Sequence, residues 1–357
     1  MQQEITSFFN KIEDVFKSKL PFVVYRNPNE KMIWLQIQNT CELVELKSFQ
    51  ESGFVFAPFQ DNRQKIIFPL NISDQFFVNI NCLEHLQVSS IATDIVSVTD
   101  LNTSKQHHIC LVDKVVDLIQ NKKAEKIVVS RKESLEASNF DVVNSFKKML
   151  INYPKAMVYL WSHPKVGCWM GASPERLIHC KNNKFETMAL AGTQIYTGTT
   201  NVVWKEKEKE EQQIVTDYIL KKIQGNITKV EYTKPTTVRA GNLLHLRTDI
   251  YGVLEKQDSL KNLLKLLHPT PAVCGLPKTI ATDFILKNEG YDRRFYTGYL
   301  GELNTTRETN LYVNLRCMEI KNNEISIYVG GGITEGSNSK KEWEETVFKS
   351  DVMKKIL

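Results

Sequence analysis

Residues 325–349 read ISIYVGGGITEGSNSKKEWEETVFK, a strand pattern followed by three glycines and a helix that carries acidic side chains. Residues 325–329 are β-branched or aromatic at most positions, which is typical of a buried strand. We expect the glycines to end this strand and to turn backbone N–H groups toward a bound anion. Either Ser337 or Ser339 is a suitable N-cap for the helix that follows.

The C-terminal helix places acidic residues on the side that also carries its apolar residues. Glu342, Glu345 and Lys349 are spaced by three and four positions, so they share one face, and apolar residues continue that face. Burial of uncompensated carboxylates is costly, so we expect a metal ion or another cation as their partner. The alternative interpretation is a solvated helix with ordinary charge pairs, because Glu and Lys at this spacing are common on surfaces.

A second helix, predicted over residues 205–223, repeats this arrangement. Glu208 and Glu211 lie three positions apart, on the side that continues into Val215. Two helices with two inward-facing glutamates each would form an oxygen-rich site suited to Mg²⁺. The alternative is that the charged stretch KEKEKEEQQ at 205–213 is simply exposed to water.

Composition indicates a soluble globular protein, with 42% hydrophobic and 24% charged residues among 357. The 46 basic and 41 acidic residues are interleaved, which disfavours a nucleic-acid partner and is compatible with a small anionic substrate. The seven cysteines form no CxxC pair, so we expect reduced thiols. Because the chain has neither a signal-peptide pattern nor a long apolar run, we predict a cytoplasmic protein without a membrane partner.

The remaining pattern predicts a mixture of helices and antiparallel strands, which is an α+β fold. Residues 71–112 lack a clear pattern, and we expect a flexible connection there, followed by a helix from residue 113. Helices are predicted over 5–16, 144–151, 260–267 and 279–288, and strands over 22–25, 32–37, 54–56, 65–70, 126–131, 157–161, 167–170 and 188–193.

Three further residues have chemical potential on their own. Lys126 opens a predicted strand, where a lysine is usually solvated; if buried, it would have a lowered pKa and could act as a base near neutral pH. His245 and His268 have no partner at a metal-ligand spacing, so a hydrogen-bonded structural role is favoured for each.

Ten short blocks, taken in order, resemble the chorismate-utilising enzymes and among them most closely the isochorismate synthases. The resemblance covers residues 113–357 continuously and leaves residues 1–112 as a divergent N-terminal part of the same fold. It implies a single α+β domain in which two antiparallel sheets pack face to face with helices outside. The blocks are KIVVSR (126–131), GASPERL (171–177), LAGT (190–193), KEKEEQQIV (207–215), LLHLRTDI (243–250), LLHPTPAVCGLPK (266–278), RRFYTGYLG (293–301), VNLRCMEI (313–320), GGGI (330–333) and EWEETVFK (342–349).

The resemblance implies a reaction and two catalytic residues. Chorismate would lose its C4 hydroxyl while water adds at C2 and a double bond moves, which gives isochorismate. Lys126 matches the base that activates water, and Glu175 matches the acid that protonates the departing oxygen; each such group contributes about 10²–10⁴ in rate. Menaquinone synthesis is the favoured pathway, and siderophore synthesis is the alternative.

Other residues match the metal and substrate contacts of that family. The resemblance implies that Mg²⁺ is bound by Glu211 and Glu345, with Glu208 and Glu342 behind them through water. The implied substrate contacts are Gly192, His245, Thr248, Ala272, Tyr296, Arg316, Gly330, Gly332 and Lys349.

Three positions distinguish this chain from sister enzymes. Anthranilate-forming relatives have glutamine at the position of Lys126, aminodeoxychorismate-forming ones commonly have lysine at that of Ala191, and salicylate-forming ones tend to have threonine at that of Ala272. These differences imply no glutamine amidotransferase subunit, and we expect a monomer. A salicylate synthase and a catalytically silent chorismate-binding protein are the alternatives. The chain departs from many members at Gln212, where they have histidine.

Overall fold

Two antiparallel β-sheets pack face to face at the centre of the protein, and helices cover their outer faces. The computed structural model describes residues 2–80, 86–88, 94–224, 227, 229–240, 243–254, 259–306 and 308–357. This architecture confirms the α+β fold with two packed antiparallel sheets. Within these ranges the helices are α1 (Gln2–Lys17), α2 (Leu101–Gln120), α3 (Val142–Asn152), α4 (Glu206–Ile223), α5 (Ser259–Leu267), α6 (Lys278–Asn288) and α7 (Ser339–Lys354), with a 3₁₀ turn at Leu70–Ile72.

The strands of the described chain divide between a ten-stranded and a nine-stranded sheet. The larger has the order β15-β7-β19-β18-β9-β8-β1-β2-β5, with β6 also on β7; the smaller has the order β12-β14-β11-β10-β17-β16-β3-β4, with β13 also on β14. The strands are β1 (Phe22–Arg26), β2 (Met32–Gln38), β3 (Gly53–Ala57), β4 (Ile66–Pro69), β5 (Ser73–Asn79), β6 (Asp94–Ser97), β7 (Lys126–Ser138), β8 (Met157–His163), β9 (Gly167–Ser173), β10 (Arg176–Lys181), β11 (Lys184–Ile195), β12 (Val230–Tyr232), β13 (Thr236–Ala240), β14 (Leu243–Val253), β15 (Gly275–Leu276), β16 (Tyr299–Thr305), β17 (Glu308–Val313), β18 (Cys317–Lys321) and β19 (Glu324–Ile333).

Apolar side chains fill the space between the sheets and the space beneath the helices. Between the sheets, Phe56 stacks on Phe295 and Trp161 stacks on Phe68. Helices α1, α3 and α7 cover the ten-stranded sheet, α4 and α5 cover the nine-stranded sheet, and α2 and α6 pack near β7. Each fully buried large apolar side chain contributes about 1.5–3 kcal/mol. These cores therefore hold both sheets and the helices that carry the candidate site.

Residues 71–112 are more regular than the sequence predicted, and the flexible connection expected there is wrong for the described part. β5 pairs with β2, β6 pairs with β7, and α2 begins at Leu101, where Asp100 accepts a hydrogen bond from the N–H of Asn102 at 3.0 Å. β5 is an edge strand and β6 is fully exposed, so neither shows the alternation of a half-buried strand. Residues 81–85 and 89–93, which include Cys82, lie outside the described residues.

Two details at the start of α7 also correct the sequence prediction. The N-cap is Asn338, whose side chain accepts a hydrogen bond from the N–H of Lys341 at 3.1 Å, while Ser337 accepts one from the N–H of Thr334. The three glycines do not end β19, because residues 330–332 continue its pairing with β7 as far as Ile333. The expected anion cradle of turned N–H groups is therefore absent from this described segment.

The other predicted helices and strands are present, with ends that differ by a few residues. The division at residue 112 stays a prediction, although α2 runs across it and strands from both sides of it enter both sheets. No helix in the described ranges is long and apolar enough to cross a membrane. The described cysteines are free thiols, as the sequence predicted.

Candidate active site

A cavity of about 770 Å³ lies where β11, β14 and β19 meet the helices α4 and α7. Most of the predicted site residues line this cavity, although they come from widely separated parts of the chain. The residues it brings together are Glu175, Gly192, Glu211, His245, Ala272, Tyr296, Arg316, Gly330, Gly332, Glu345 and Lys349. Four predicted site residues do not line the cavity but lie directly behind it: Lys126, Glu208, Thr248 and Glu342. Lys126 contacts Glu211, Glu208 adjoins Gly192, and Glu342 adjoins Glu345, each a lining residue, while Thr248 is held by Gln212.

Lys126 is fully buried, in contrast to the solvated lysine that is usual at a strand end. It is the first residue of β7, which lies between β15 and β19, so neighbouring strands cover both of its sides. Its Nζ atom lies 3.0 Å from Oε1 of Glu211. A buried amine beside the cavity is therefore held by a single carboxylate among the described residues.

Glu175 is buried in the turn between β9 and β10, at the wall of the same cavity. Burial raises the pKa of Glu175 to about 8, and the nearby positive charge of Lys126 offsets only part of this rise. The carboxyl group therefore carries a proton at neutral pH. This is the protonation state that a general acid requires.

The two predicted site acids of α7, Glu342 and Glu345, are each paired with a lysine. Glu342 accepts a hydrogen bond from Lys207 of α4, and Oε1 of Glu345 accepts one from Lys349 at 2.7 Å. Burial raises the pKa of Glu342, Lys207 opposes this effect, and the charge of Glu345 adds to it. Burial would also raise the pKa of Glu345, but Lys349 lowers it below its usual value. Lys349 also donates to the carbonyl of Gly330 at 2.8 Å.

Buried oxygen atoms without partners show that these acids could bind a cation. Oε2 of Glu208 and Oε2 of Glu342 are buried and accept no hydrogen bond within the described residues. Around Gly331, Glu342 and Glu345 point toward the same strand. Carboxylates with free lone pairs fit a hard cation such as Mg²⁺. The described part of the chain nevertheless contains no group of three or more His, Cys, Asp or Glu side chains arranged to hold a metal ion.

The glycines of β19 provide room for these charged groups. A Cβ atom at Gly332 would lie 2.2 Å from Oε1 of Glu211 and 2.9 Å from Cε of Lys126. Any side chain at this position would therefore collide with both members of the ion pair. Gly192 has a φ of 75°, and a Cβ atom there would lie 3.1 Å from the backbone oxygen of Glu208.

His245 and Arg316 form a hydrogen-bonded pair in the cavity wall. Nδ1 of His245 lies 2.8 Å from the carbonyl oxygen of Gly192, so it carries the proton, and Nε2 accepts a hydrogen bond from Nη2 of Arg316 at 2.9 Å. Burial, together with the charge of Arg316, lowers the pKa of His245 to about 3. Burial likewise lowers the pKa of Arg316 to about 10. His245 is thus neutral and hydrogen-bonded at both ring nitrogens, as the sequence favoured, and it also lines the cavity.

Thr248 lies behind the cavity wall, where Gln212 holds it. Nε2 of Gln212 donates to Oγ1 of Thr248 at 2.8 Å and to Oγ1 of Thr216 at 2.9 Å. The glutamine that departs from the family pattern is buried and has an orienting role here. His268, by contrast, is the expected structural histidine: its Nε2 lies 3.2 Å from the carbonyl oxygens of Pro58 and Phe59.

Sequence reasoning missed several residues of the site. Tyr328 lines the cavity and stacks on Tyr296 with a centroid distance of 5.4 Å, and Thr193 and Thr297 also line it. Thr193 and Thr297 lie inside the blocks LAGT and RRFYTGYLG, so those blocks contained the signal. Lys207 stands in a run of alternating charges, and nothing in that run distinguishes it from its exposed neighbours.

The fold thus forms one cavity whose lining combines acidic and basic side chains. Residues 70–357 match the profile of the family described as chorismate binding enzyme. Because this match covers most of the chain, the protein belongs to the chorismate binding enzyme family, as its motifs predicted.

Individual relatives agree with this family. The isochorismate synthase MenF of Escherichia coli (strain K12) is 30% identical over 197 residues, which is 53% of this chain and 45% of that protein. The solved structure of MenF, the menaquinone-specific isochorismate synthase from Escherichia coli, has a TM-score of 0.79 at 19% identity and covers 94% of this chain and 88% of that one. Anthranilate synthase component I from Streptococcus pneumoniae TIGR4 has a TM-score of 0.68 at 19% identity and covers 93% and 92%.

These two structural likenesses establish the fold alone, because their sequence identities are low. The chain spans about half the length of the curated relatives it matches, among them MenF and EntC of Escherichia coli.

Proposed function

We propose that this protein is an isomerase that converts chorismate to isochorismate in a Mg²⁺-dependent reaction. One observation carries the proposal: a buried amine lies directly behind the cavity that a protonated, buried carboxyl group lines. Lys126 contacts Glu211, which lines the cavity, and Glu175, with its pKa of about 8, lines the same cavity. The relatives named isochorismate synthase support the same reaction.

Lys126 and Glu175 have the two capacities that the chemistry needs. In the proposed reaction, Lys126 accepts a proton from a water molecule while the water oxygen forms a bond to C2 of the substrate. The ring double bond moves, the C4–oxygen bond breaks, and Glu175 gives its proton to the departing hydroxyl, which leaves as water. Proton exchange with solvent then restores both groups. One water enters and one leaves, so the overall change is an isomerisation.

Other residues of the site would hold the substrate. Arg316 and Tyr296 would bind the enolpyruvyl carboxylate, and Lys349 with the backbone at Gly330 would contact the remaining part of the substrate; all four residues line the cavity. Glu211 and Glu345 would bind Mg²⁺, with Glu208 and Glu342 behind them. When bound, Mg²⁺ would neutralise the negative charge of the ring carboxylate of chorismate. It would thereby offset the repulsion between the dianionic substrate and the acidic side chains that bind the metal.

We further propose that the enzyme acts as a cytoplasmic monomer without a glutamine amidotransferase subunit and serves menaquinone synthesis, with siderophore synthesis as the alternative. Lys126 supports a reaction with water, because ammonia-using relatives have glutamine there. Ala272 counts against salicylate formation, because salicylate-forming relatives tend to have threonine at this position.

Incubation of the pure protein with chorismate, with and without Mg²⁺, tests the proposal by chromatography of the products. We expect isochorismate that depends on Mg²⁺. Salicylate with pyruvate would instead indicate a salicylate synthase, and unchanged chorismate would indicate a silent binding protein. Sedimentation of the same sample, at several concentrations, measures whether it is a monomer.

A further inference from the structure

A second, larger groove adjoins the active-site cavity and runs along the seam between the two sheets. One wall is the connection between α3 and β8, residues 152–156, which belongs to the ten-stranded sheet. The opposite wall carries side chains of the nine-stranded sheet, among them Arg239 of β13 and Arg247 of β14. The space, open to solvent in part, measures about 1700 Å³, and we call it the seam groove.

Three residues line both the seam groove and the active-site cavity: Pro174, Leu190 and Arg316. The two spaces therefore meet at these side chains. Arg316 has a φ of 47° and donates a hydrogen bond to His245 on the cavity side. Pro174 directly precedes Glu175, so the end of the groove lies next to the proposed acid.

The lining of the seam groove is basic. Five of its side chains are cationic, and none carries a carboxylate: Lys155, Arg176, Arg239, Arg247 and Arg316. Carboxylates outside the lining pair with two of them, since Glu186 lies 3.1 Å from Arg176 and Asp249 lies 2.6 Å from Arg247. Lys155 and Arg239 are exposed, and they stand on opposite walls.

Two neighbouring side chains, Arg176 and Tyr312, lie deeper in the lining of the groove. The guanidinium carbon of Arg176 lies 6.0 Å from the centroid of the Tyr312 ring, and the polar ends of the two side chains interact. Arg176 therefore adds positive charge to the inner part of the groove, next to the hydroxyl group of Tyr312. A groove lined by one sign of charge also concentrates small ions of opposite charge and raises their association rate by about 10–10³.

We propose that the seam groove is the access route for the dicarboxylate substrate, and that Arg316 passes the anion from the groove into the cavity. This inference rests on the proposed function for the identity of the substrate. Lys155 and Arg239 act at the mouth of the route, at long range, and Arg176 adds positive charge further in. Arg316, which lines both spaces, binds a substrate carboxylate at the inner end of the groove by donating hydrogen bonds to it.

Stopped-flow protein fluorescence, on mixing with chorismate, tests the route. We compare the full-length wild type, the double variant Lys155→Glu/Arg239→Glu, and the control Lys114→Glu, an exposed lysine of α2 that lines neither space. At about 0.01 M ionic strength the Debye length is about 30 Å, and at 1 M it is about 3 Å. The double variant should associate at least about tenfold more slowly at low salt, and the difference should vanish at high salt.

Turnover at saturating chorismate should fall less than the association rate, because the changed residues lie outside the cavity. Equal association rates for the double variant and the Lys114→Glu control at low salt would overturn the access route. A wild-type protein that binds chorismate without producing isochorismate would contradict the proposed function alone. A wild-type protein that does not bind chorismate would contradict both.

Discussion

Two buried charge clusters lie close together in this protein, and they differ in how completely their polar atoms are paired. In the first, Arg293 donates to Glu289, to the carbonyl of Val128 at 2.8 Å and to that of Val273 at 2.9 Å. Oε1 of Glu289 also accepts a hydrogen bond from the N–H of Ser130 at 2.7 Å. The second cluster is the acidic wall of the cavity, where Oε2 of Glu208 and of Glu342 have no partner among the described residues.

The difference separates a structural cluster from one that can bind a ligand. A buried ion pair with all of its hydrogen bonds made has no capacity left for another group, and loss of one partner strands the other charge. Through its contacts Arg293 joins β7, which begins with Lys126, to the segment that contains Ala272. The cluster around Arg293, whose polar atoms are all paired, thus positions the walls of the cavity. The acidic cluster keeps carboxylate oxygen atoms available to bind a cation.

The strongest test of this contrast is the removal of one charge from the acidic wall. Glu211→Gln should lower Mg²⁺-dependent turnover by about 10³-fold or more, since a metal contributes several kcal/mol to the stabilisation of charge. The protein should remain folded, although the free energy of unfolding should fall because the buried Lys126 loses the carboxylate that pairs with it. Product formation over a range of Mg²⁺ concentrations measures the first effect, and denaturant unfolding measures the second.

Glu210→Gln, on the exposed side of the same helix, is the matched control and should keep normal turnover. Glu345→Gln should behave like Glu211→Gln. Normal activity of either variant at limiting Mg²⁺ would contradict the assignment of the metal ligands.

The cluster around Arg293 should respond differently. Arg293→Met should lower the free energy of unfolding by about 3–5 kcal/mol, because it leaves the carboxylate of Glu289 buried without its partner. The control Arg63→Met breaks an exposed pair with Asp292 and should cost no more than about 1 kcal/mol. Denaturant unfolding compares the two variants. Equal losses in the free energy of unfolding would show that the buried ion pair contributes no more to stability than the exposed one.

Lys126→Arg tests whether the buried amine is a base or only an attractive charge. Arginine keeps the positive charge but has a pKa above about 12, so it cannot accept a proton from water. Turnover should fall by about 10² or more while chorismate still binds. The control is Lys132→Arg, an exposed lysine on the same strand. Turnover of Lys126→Arg within a few fold of the wild type would refute the proposed role.

The smallest expected effect concerns the pH dependence of the free energy of unfolding in the variant Glu175→Gln. The folded protein holds the proton of Glu175 up to about pH 8, whereas the unfolded chain releases it near the ordinary pKa of 4.5. Between these values the unfolded state binds fewer protons, so the wild type loses stability as pH rises, and the loss ends above about pH 8.

Glutamine does not titrate, so the variant should gain about 1 kcal/mol relative to the wild type between pH 6 and pH 7. Unfolding free energies of both proteins at several pH values measure this difference. A constant difference from pH 5 to pH 8 would show that Glu175 does not retain its proton. Turnover of Glu175→Gln should also be strongly reduced.

The sequence predicted those parts of the fold in which side-chain pattern and burial agree. β1 is apolar except for Arg26, β3 is apolar throughout, and both are fully buried, while α4 carries the expected helical pattern. β6 was missed because all of its residues are exposed. β19 was ended too early because glycine has a low strand propensity, whereas here close approach of Glu211 and Lys126 requires glycine inside the strand.

Within the site, sequence could indicate which residues take part but not their pairing. The spacing of Glu342 and Glu345 predicted a shared face, yet the structure gives each a different lysine, and Lys207 comes from another helix. The seam groove was also not predictable. Its basic residues lie on strands and turns that are distant in sequence, and only the packing of the two sheets brings them together.

The pairing of β7 with β19 has a consequence for folding during synthesis of the chain on the ribosome. Ile127 pairs with Ile333, which is 333 − 127 = 206 positions later in the chain. Contacts between such distant residues form late, and synthesis proceeds from the N-terminus. Lys126 and Glu211 therefore precede by more than a hundred residues the strand β19 and the helix α7 that complete their surroundings. The chain can form much of its scaffold before β19 and α7 bring the residues of the candidate site together.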